Sequence, residues 1–262
     1  MENISWQRQT KDKPAFPDVI WSRPENKRHA GKLLIIGGHA QSFSAPSRAY
    51  AAAASAGAGT IRILLPDSLQ KTVGKAFLEA EFAPSTPIGS FSRQALDSFI
   101  DLAGWADGVL LAGDFGKNSE TAIVLDSFIE KYTGQLSLTG DSLDYFLQKP
   151  AELTKRHNTL LVGELAQIQK LAQPLVAIKQ TADLVQNLNA LSRWTSQIAA
   201  KAITSTPSQI LLADSGKIST TAFNNKISEL ELAAYASVWW LQQPERAFEA
   251  LSSAIYEFSK QP

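Results

Sequence analysis

Short, continuous apolar runs alternate along the chain with longer segments in which apolar residues recur at helical spacing. The first run, 33–36, has the length of a strand that is covered on both faces of a parallel sheet. The alanine-rich segment 45–58 follows it, has almost no β-branched residues and favours a helix. Ser44 is a suitable N-cap for this helix, and Pro46 stands near its first position, where a missing N–H is harmless. A second apolar run, 61–65, completes a βαβ unit with an expected right-handed crossover.

The same alternation continues to the end of the chain and predicts a mainly parallel sheet flanked by helices. Further strands are expected at 109–112, from 136 and from 159, with a β-hairpin at 210–221. Helical spacing predicts helices at 68–80, 91–103, 123–132, 174–201, 230–241 and 244–259. No Pro/Gly/Ser-rich linker divides the chain, so we expect one domain over residues 1–262. Residues 1–28 are expected to be an irregular lead-in that wraps the domain and is pinned by Trp6, Phe16 and Trp21.

Charge balance and cysteine content narrow the range of functions. Lys plus Arg and Asp plus Glu each number 25 in 262 residues, so the basic excess of a nucleic-acid-binding protein is missing. There is no cysteine, which excludes disulfides, thiolate zinc sites and cysteine nucleophiles, and the three histidines are scattered in sequence. The first residues lack the apolar core of a signal peptide, and no segment approaches the ~18 apolar residues of a membrane span. We therefore expect a cytoplasmic protein with neither a nucleic acid nor a membrane as partner.

Glycine turns follow two of the predicted strands. Gly37 and Gly38 follow the first strand, and the turn 113–117, Gly-Asp-Phe-Gly-Lys, follows the strand at 109–112. Open α/β sheets bind ligands at the carboxyl ends of their strands, where the next helix presents free N–H groups to anions. These turns predict a ligand site at the carboxyl edge of the sheet.

The opening βαβ unit carries a family resemblance. Its Gly-Gly turn, small-residue helix and ending Ser55-Ala-Gly-Ala-Gly resemble the start of the NAD(P)H-hydrate dehydratase family. Members of that family use ADP or ATP to remove water from hydrated NADH or NADPH. The resemblance continues in order from about Arg23 to Phe258. It implies a ribokinase-like three-layer α/β/α sandwich with a mainly parallel central sheet, ADP or ATP with Mg²⁺ as cofactors, and NAD(P)H hydrate as substrate.

Three later segments are similar to motifs that shape the substrate pocket in that family. The turn 113–117 resembles Gly-Pro-Gly-Leu-Gly-Arg, with Asp114 in place of a glycine. Residues 136–144 resemble a strand ending in Asp-Ala-Asp-Ala-Leu-Asn, and residues 159–168 resemble Thr-Pro-His-Pro-Gly-Glu-Phe-Ala-Arg-Leu without the Pro-His-Pro. The residues alone leave another interpretation open, in which Asp141 is a helix N-cap and Glu164 a first-turn acid. The resemblance implies substrate contacts at Gly38, Ala45, Gly113, Gly116, Asp141 and Glu164.

The expected catalytic segment lies just before the last two helices. In the family, Gly-Ser-Gly-Asp opens a long helix there, because glycines let backbone N–H groups approach a phosphate while the Asp acts as base. Residues 247–250 resemble the family's Pro-Phe-Glu-Ala, and this anchor aligns Ser228, Glu229 and Leu230 with Gly-Ser-Gly as the nucleotide-binding positions. Glu231 then falls on the catalytic Asp. The alternative is that Ser228 caps the helix and both glutamates are ordinary first-turn acids.

Three functions follow from these patterns. The first is an ADP- or ATP-dependent NAD(P)H-hydrate dehydratase, a carbon–oxygen lyase, with Glu231 as base. The second is a catalytically inactive relative that serves as a nucleotide-binding or assembly module, which the loss of the glycines favours. The third and weaker one is a small-molecule kinase of the same superfamily. A homo-oligomer is also possible from the sequence. Trp239 and Trp240 are adjacent and cannot both face the same core, so one of them is expected either at a subunit contact or beneath the lead-in.

Overall fold

The computed structural model describes residues 5–10, 12–74, 77–178, 183–223 and 227–261. Within these ranges, ten strands form one continuous sheet in the order β1-β10-β9-β8-β7-β6-β5-β2-β3-β4. The strands are β1 Trp6–Gln9, β2 Lys32–Gly37, β3 Thr60–Pro66, β4 Ala80–Ala83, β5 Gly108–Gly113, β6 Gln135–Thr139, β7 Thr159–Val162, β8 Lys201–Thr206, β9 Gln209–Asp214 and β10 Lys217–Ala222.

The sheet is mainly parallel, as the alternating pattern predicts. From β4 to β8 all neighbouring strands run parallel, with β2 lying between β3 and β5. Antiparallel pairing occurs where β9 meets β8 and β10. The lead-in then adds β1 parallel to β10 at the far edge. The carboxyl ends of β2 and β5 to β7 therefore share one edge of the sheet, which is where the glycine turns lie.

Helices cover both faces and give three layers. They are α1 Pro17–Trp21, α2 Ser44–Ser55, α3 Gln70–Val73, α4 Leu96–Trp105, α5 Ser119–Lys131, α6 Asp141–Asp144, α7 Pro150–Thr154, α8 Leu165–Ala172, α9 Leu184–Thr195, α10 Glu229–Gln242 and α11 Ala247–Phe258. One core cluster contains buried residues of α4, α5, α8 and α9, and the other contains those of α2, α10 and α11. The predicted α/β/α sandwich is confirmed.

Three predicted elements differ from the structure. The segment 68–80 is not one helix, because the short α3 is followed by the edge strand β4, whose Ala-Glu-Phe-Ala sequence carries no continuous apolar run. The expected helix at 174–201 is α9 alone and ends before β8; its residues 179–182 lie outside the described part. Ser44 is the first residue of α2 rather than its N-cap, a position taken by Phe43 without a side-chain hydrogen bond.

The lead-in is more regular than expected, since it contributes β1 and α1. The indole N–H of Trp6 donates to Thr220 Oγ1 at 3.0 Å, and Phe16 packs edge-on against Phe248. Trp21 is 87% exposed and does not anchor the segment. Trp239, in α10, is buried, and the guanidinium of Arg23 in the lead-in lies 4.1 Å from its ring centre. The lead-in therefore covers Trp239.

Trp240 is also buried, with the Lys201 ammonium 4.9 Å from its ring centre. Both adjacent indoles therefore pack within this chain. Separately, the described residues contain no helix that combines the length and the apolar character needed to cross a membrane.

Candidate functional site

A cleft of about 780 Å³ opens at the carboxyl edge of the sheet. Its floor lies where β6 ends, and α6, α8 and α10 all begin at its walls. Its lining residues are Arg48, Thr139, Gly140, Asp141, Asp144, Glu164, Ala166, Gln167, Lys170, Ile227, Ser228, Glu229 and Leu230. The lining is therefore rich in charged and polar side chains, and carboxylates outnumber cations.

The turns after β2 and β5 pack against each other beside this cleft. The N–H of Gly38 donates to the carbonyl of Gly113 at 3.0 Å. Gly113 has a φ of +104°, and a Cβ there would lie 2.9 Å from Asp141 Oδ1, so both its conformation and its surroundings require glycine. The carbonyl of Gly116 accepts a hydrogen bond from the Tyr145 hydroxyl. These contacts fix the two turns relative to β6.

Asp114 connects the β5 turn to the start of α2. Its Oδ2 accepts hydrogen bonds from Ser42 Oγ at 2.7 Å and from the Ala45 N–H at 2.8 Å. Its carbonyl lies 2.9 Å from His39 Nδ1. Asp114 adopts a left-handed φ of +59°, which few residues other than glycine, Asn and Asp tolerate. The N–H at the beginning of α2 is thus bonded to a carboxylate of the chain itself.

Asp141 braces the same turn from β6. Its Oδ2 accepts the Phe115 N–H at 3.1 Å, whereas its Oδ1 and the Thr139 hydroxyl are buried without a hydrogen-bond partner. Burial raises the pKa of Asp141, the Phe115 N–H lowers it, and the nearby carboxylates of Asp114 and Asp144 raise it further. The N-cap of α6 is Gly140, so the interpretation of Asp141 as an N-cap is wrong: its carboxylate turns towards Phe115 instead.

The wall formed by α8 carries both acidic and basic groups. Gln167 donates its amide to Asp144 Oδ1 at 2.9 Å and to the Gly140 carbonyl at 3.1 Å. Glu164 is the N-cap residue of α8, but its side chain makes no capping hydrogen bond. Among the described residues, Glu164 and Lys170 have neither an ion-pair nor a hydrogen-bond partner for their side chains.

The N-terminus of α10 forms the opposite wall. Ser228 is its N-cap and accepts the Glu231 N–H at 3.4 Å, as the capping interpretation predicts. Arg48 of α2 reaches across and donates to Glu231 Oε1 from Nη2 at 2.8 Å and from Nε at 3.0 Å. The same Nη2 donates to Ser228 Oγ at 2.9 Å. Glu229 lines the cleft one residue into the helix.

No protein-family profile matches the chain. The chain is 24% identical over 144 residues to a bifunctional NAD(P)H-hydrate repair enzyme of Moorella thermoacetica, a match that covers 53% of this chain but only 27% of that relative.

Solved structures that are similar over almost the whole chain include the following two. A ribokinase-like superfamily protein of Enterococcus faecalis matches with a TM-score of 0.75 and 17% identity, over 99% of this chain and 89% of that one. An ADP/ATP-dependent NAD(P)H-hydrate dehydratase of Bacillus subtilis, crystallised with ATP and Mg²⁺, matches with a TM-score of 0.69 and 14% identity, over 99% and 88%. This chain has the ribokinase-like fold.

Within the ribokinase-like fold, the predicted site residues separate into two groups. Asp141, Glu164, Ser228, Glu229 and Leu230 line the cleft together. The other predicted residues do not line the cleft: Gly38, Ala45, Gly113, Gly116 and Glu231. The structure thus brings the predicted substrate and nucleotide positions to one edge of the sheet, with Glu231 directed at Arg48.

Five polar residues of the lining were not among the predicted site residues: Arg48, Thr139, Asp144, Gln167 and Lys170. Thr139, Asp144 and Gln167 lie within the segments 136–144 and 159–168 that resemble family motifs, whereas Lys170 lies outside them. Arg48 offered a weaker signal, as the one charged residue in the segment 44–58.

The described residues contain no group of three or more His, Cys, Asp or Glu side chains arranged to hold a metal ion. A nucleotide phosphate would meet Glu229 and Glu231 at the start of α10, which is a poor fit to the cofactor expected from the sequence.

Proposed function

We propose that the chain is a small-molecule-binding relative of NAD(P)H-hydrate repair enzymes that does not carry out nucleotide-dependent dehydration. The observation that carries this proposal is the start of α10, where Ser228, Glu229, Glu231 and Arg48 already occupy the place expected for a phosphate. The cleft itself remains open and large enough for a small ligand.

Electrostatics at α10 support this proposal. A helix N-terminus attracts anions through its unpaired N–H groups and its dipole. Here Ser228 uses one of those N–H groups, and two glutamates stand in the first turn. Two like charges 4 Å apart near a protein surface repel by up to about 4 kcal/mol, which corresponds to a loss of several tenfold factors in affinity. One guanidinium, already bonded to Glu231, offsets only part of that repulsion.

The orientation of Glu231 also supports a non-catalytic role. Two nitrogens of Arg48 bond to Oε1, so the carboxylate is directed across to α2 instead of into the cleft. A base must come within hydrogen-bond reach of the proton it removes. Glu231 would have to leave this pair first.

The second candidate is the dehydratase itself, with Glu231 as base after the pair opens. It is favoured by the position of Glu231 in the first turn of α10, beside the cleft, and by the similarity to a dehydratase crystallised with ATP and Mg²⁺. A kinase on the same fold would need the same phosphate position, so the glutamates argue against it equally.

The deciding experiment follows the absorbance of NADH when the protein is mixed with hydrated NADH, Mg²⁺ and either ADP or ATP. We expect no nucleotide-dependent recovery from protein whose folded state is verified by circular dichroism. Nucleotide-dependent recovery would refute the proposal. In that event, loss of recovery in Glu231→Gln with nucleotide binding retained would assign Glu231 as the base.

A further inference from the structure

The two ends of the ten-stranded sheet differ in how they are protected from pairing with another chain. β4 lies at one end, carries the exposed Glu81, follows the exposed Glu79 and is itself followed by Pro84. Acidic side chains and proline are common means by which an edge strand avoids such pairing. β1 lies at the other end, is equally short, and contains neither an acidic residue nor a proline. The β1 edge is therefore the less protected of the two.

The pairing of β1 with β10 shows which backbone groups of β1 are unused. The N–H of Ile218 donates to the carbonyl of Ser5 at 2.8 Å, and the register pairs Trp6 with Ile218. In a parallel ladder alternate residues of a strand bond to the same neighbour, so Ser5 and Gln7 face β10. The N–H and C=O groups of Trp6 and Arg8 then point away from the sheet, where no strand of the described chain pairs with them.

We propose that β1 pairs antiparallel with β1 of a second copy of this chain, around a two-fold axis at Gln7. In this register Trp6 of each copy lies opposite Arg8 of the other. The outward N–H and C=O groups of both residues then bond across the axis, and the two sheets become one. Such a contact is isologous, because the same strand is used by both copies.

The side chains of β1 select this register. Trp6 and Arg8 lie two residues apart and share one face of the sheet. The Trp6 indole is 39% exposed and is held by its bond to Thr220, and the Arg8 guanidinium has no ion-pair partner in the described part of the chain. Placing each guanidinium against an indole gives a cation–π contact, the kind that Arg23 makes with Trp239.

Other registers lose part of these contacts. A shift by one residue sets outward backbone groups against inward ones and forms no ladder. A shift by two residues brings Trp6 opposite Trp6 or Arg8 opposite Arg8, which leaves half of the outward groups unbonded and, in the second case, opposes like charges. An extended segment of a different protein could use the same edge, but β1 is complementary to itself, which favours the second copy. The contact is small, so we expect a weak dimer with a Kd of roughly 1–100 µM.

A cysteine crosslink tests the register directly, since the chain contains no cysteine of its own. Gln7→Cys places two sulfurs across the axis in a non-hydrogen-bonded pair, whose Cα atoms lie about 4.5 Å apart and within reach of a disulfide. Ser5→Cys is the matched control: it is exposed and on the same face, but four residues out of register with its own counterpart and therefore roughly 13 Å away or more. Under mild oxidation we expect Gln7→Cys to form the covalent dimer at least tenfold faster than Ser5→Cys. Equal rates overturn the inference.

Two matched variants test the pairing of Trp6 with Arg8 without a crosslink. Trp6→Lys and Trp6→Glu both lose the indole and its bond to Thr220, and urea unfolding checks that they are equally stable. Trp6→Lys opposes two cations in each cross-strand pair, whereas Trp6→Glu opposes a carboxylate and a guanidinium. In sedimentation velocity over a range of concentrations, we expect Trp6→Lys to raise the Kd of the dimer at least tenfold more than Trp6→Glu does.

The remaining outcomes overturn the inference in different ways. If both variants weaken the dimer equally, Trp6 does not face Arg8, and the proposed register is wrong. If the wild type stays monomeric at concentrations well above 100 µM, the second copy is excluded and the edge is left to a segment of a different protein. Neither result depends on the cleft, so the NADH assay tests the proposed function separately.

Discussion

Replacing Asp114 should separate two contributions of one residue, its hydrogen bonds and its backbone conformation. The carboxylate bonds to Ser42 Oγ and to the Ala45 N–H, and the backbone has a φ of +59°. A hydrogen bond to a charged group contributes about 1.5–3 kcal/mol when buried, and these groups are only half-buried, so we assign about 1–2 kcal/mol to each. A left-handed φ costs a residue with a Cβ roughly 1–2 kcal/mol relative to glycine.

These magnitudes predict an order among three variants. Asp114→Ala loses both bonds and keeps the strain, so it should lower the free energy of unfolding by about 2–4 kcal/mol. Asp114→Gly loses the bonds but relieves the strain, and should lower it by about 1–2 kcal/mol. Asp114→Asn tolerates the left-handed conformation and keeps one acceptor, so a loss of about 1 kcal/mol is expected.

Urea unfolding followed by circular dichroism measures the order, provided that the dependence on urea concentration is the same in all four proteins. If Asp114→Gly is more stable than the wild type by the full relieved strain of about 1–2 kcal/mol, the two hydrogen bonds contribute nothing. If Asp114→Ala and Asp114→Gly are equally stable, the φ of +59° carries no strain. Either result would refute the account of this turn.

Three further predictions concern buried polar groups. Ser237 Oγ donates to Ser137 Oγ at 2.7 Å and also contacts the Ala233 carbonyl. Ser237→Ala should therefore lower the free energy of unfolding in urea by about 1–3 kcal/mol, and the double variant Ser137→Ala/Ser237→Ala should lose less than the sum of the two single variants. Additive losses would contradict this coupling. Burial lowers the pKa of Arg156 to about 10, and its guanidinium donates to the Tyr132, Gly134 and Asn158 carbonyls. Arg156→Ala should therefore lower the free energy of unfolding in urea by roughly 3 kcal/mol, and an unchanged free energy would argue against that role. Burial raises the pKa of Asp141 above 3.8, so the folded state binds this proton more tightly than the unfolded chain does. The free energy of unfolding should therefore fall as pH rises from 3.8 through the raised pKa, and Asp141→Asn should become more stable relative to the wild type over that range. A stability difference that stays constant with pH would contradict the shift.

The interior strands could be predicted from sequence because both of their faces are buried. β2, β3 and β5 are almost wholly buried and appear as continuous apolar runs. β1 and β4 escaped prediction because edge strands are partly exposed and short, and β8 because its Lys-Ala-Ile-Thr-Ser-Thr sequence has too few apolar residues. A continuous apolar run thus indicates a strand that is buried on both faces. A strand without such a run can be assigned only when the strands that pair with it are known.

The site was predictable where a motif marked it and not where distant segments meet. The glycine turns, Asp141 and the α10 segment carry local signals, and the structure gathers them at one edge. Arg48 stands out in sequence only as the one charged residue of segment 44–58, and its contact with Glu231 has no local signal because the two lie 183 residues apart. The contact between Asp114 and the start of α2 depends on a left-handed φ, which residue type alone does not dictate.

The pairing of β1 with β10 sets the order in which the protein can assemble during its synthesis. Trp6 and its partner Thr220 are 214 residues apart, so a ribosome adding about 5–20 residues per second needs roughly 10–40 s to make one after the other. The βαβ unit of β2, α2 and β3 can form early from local contacts, whereas β1 must wait unpaired for the hairpin of β9 and β10. The lead-in strand is therefore made well before the hairpin but is among the last of these strands to take its place in the sheet.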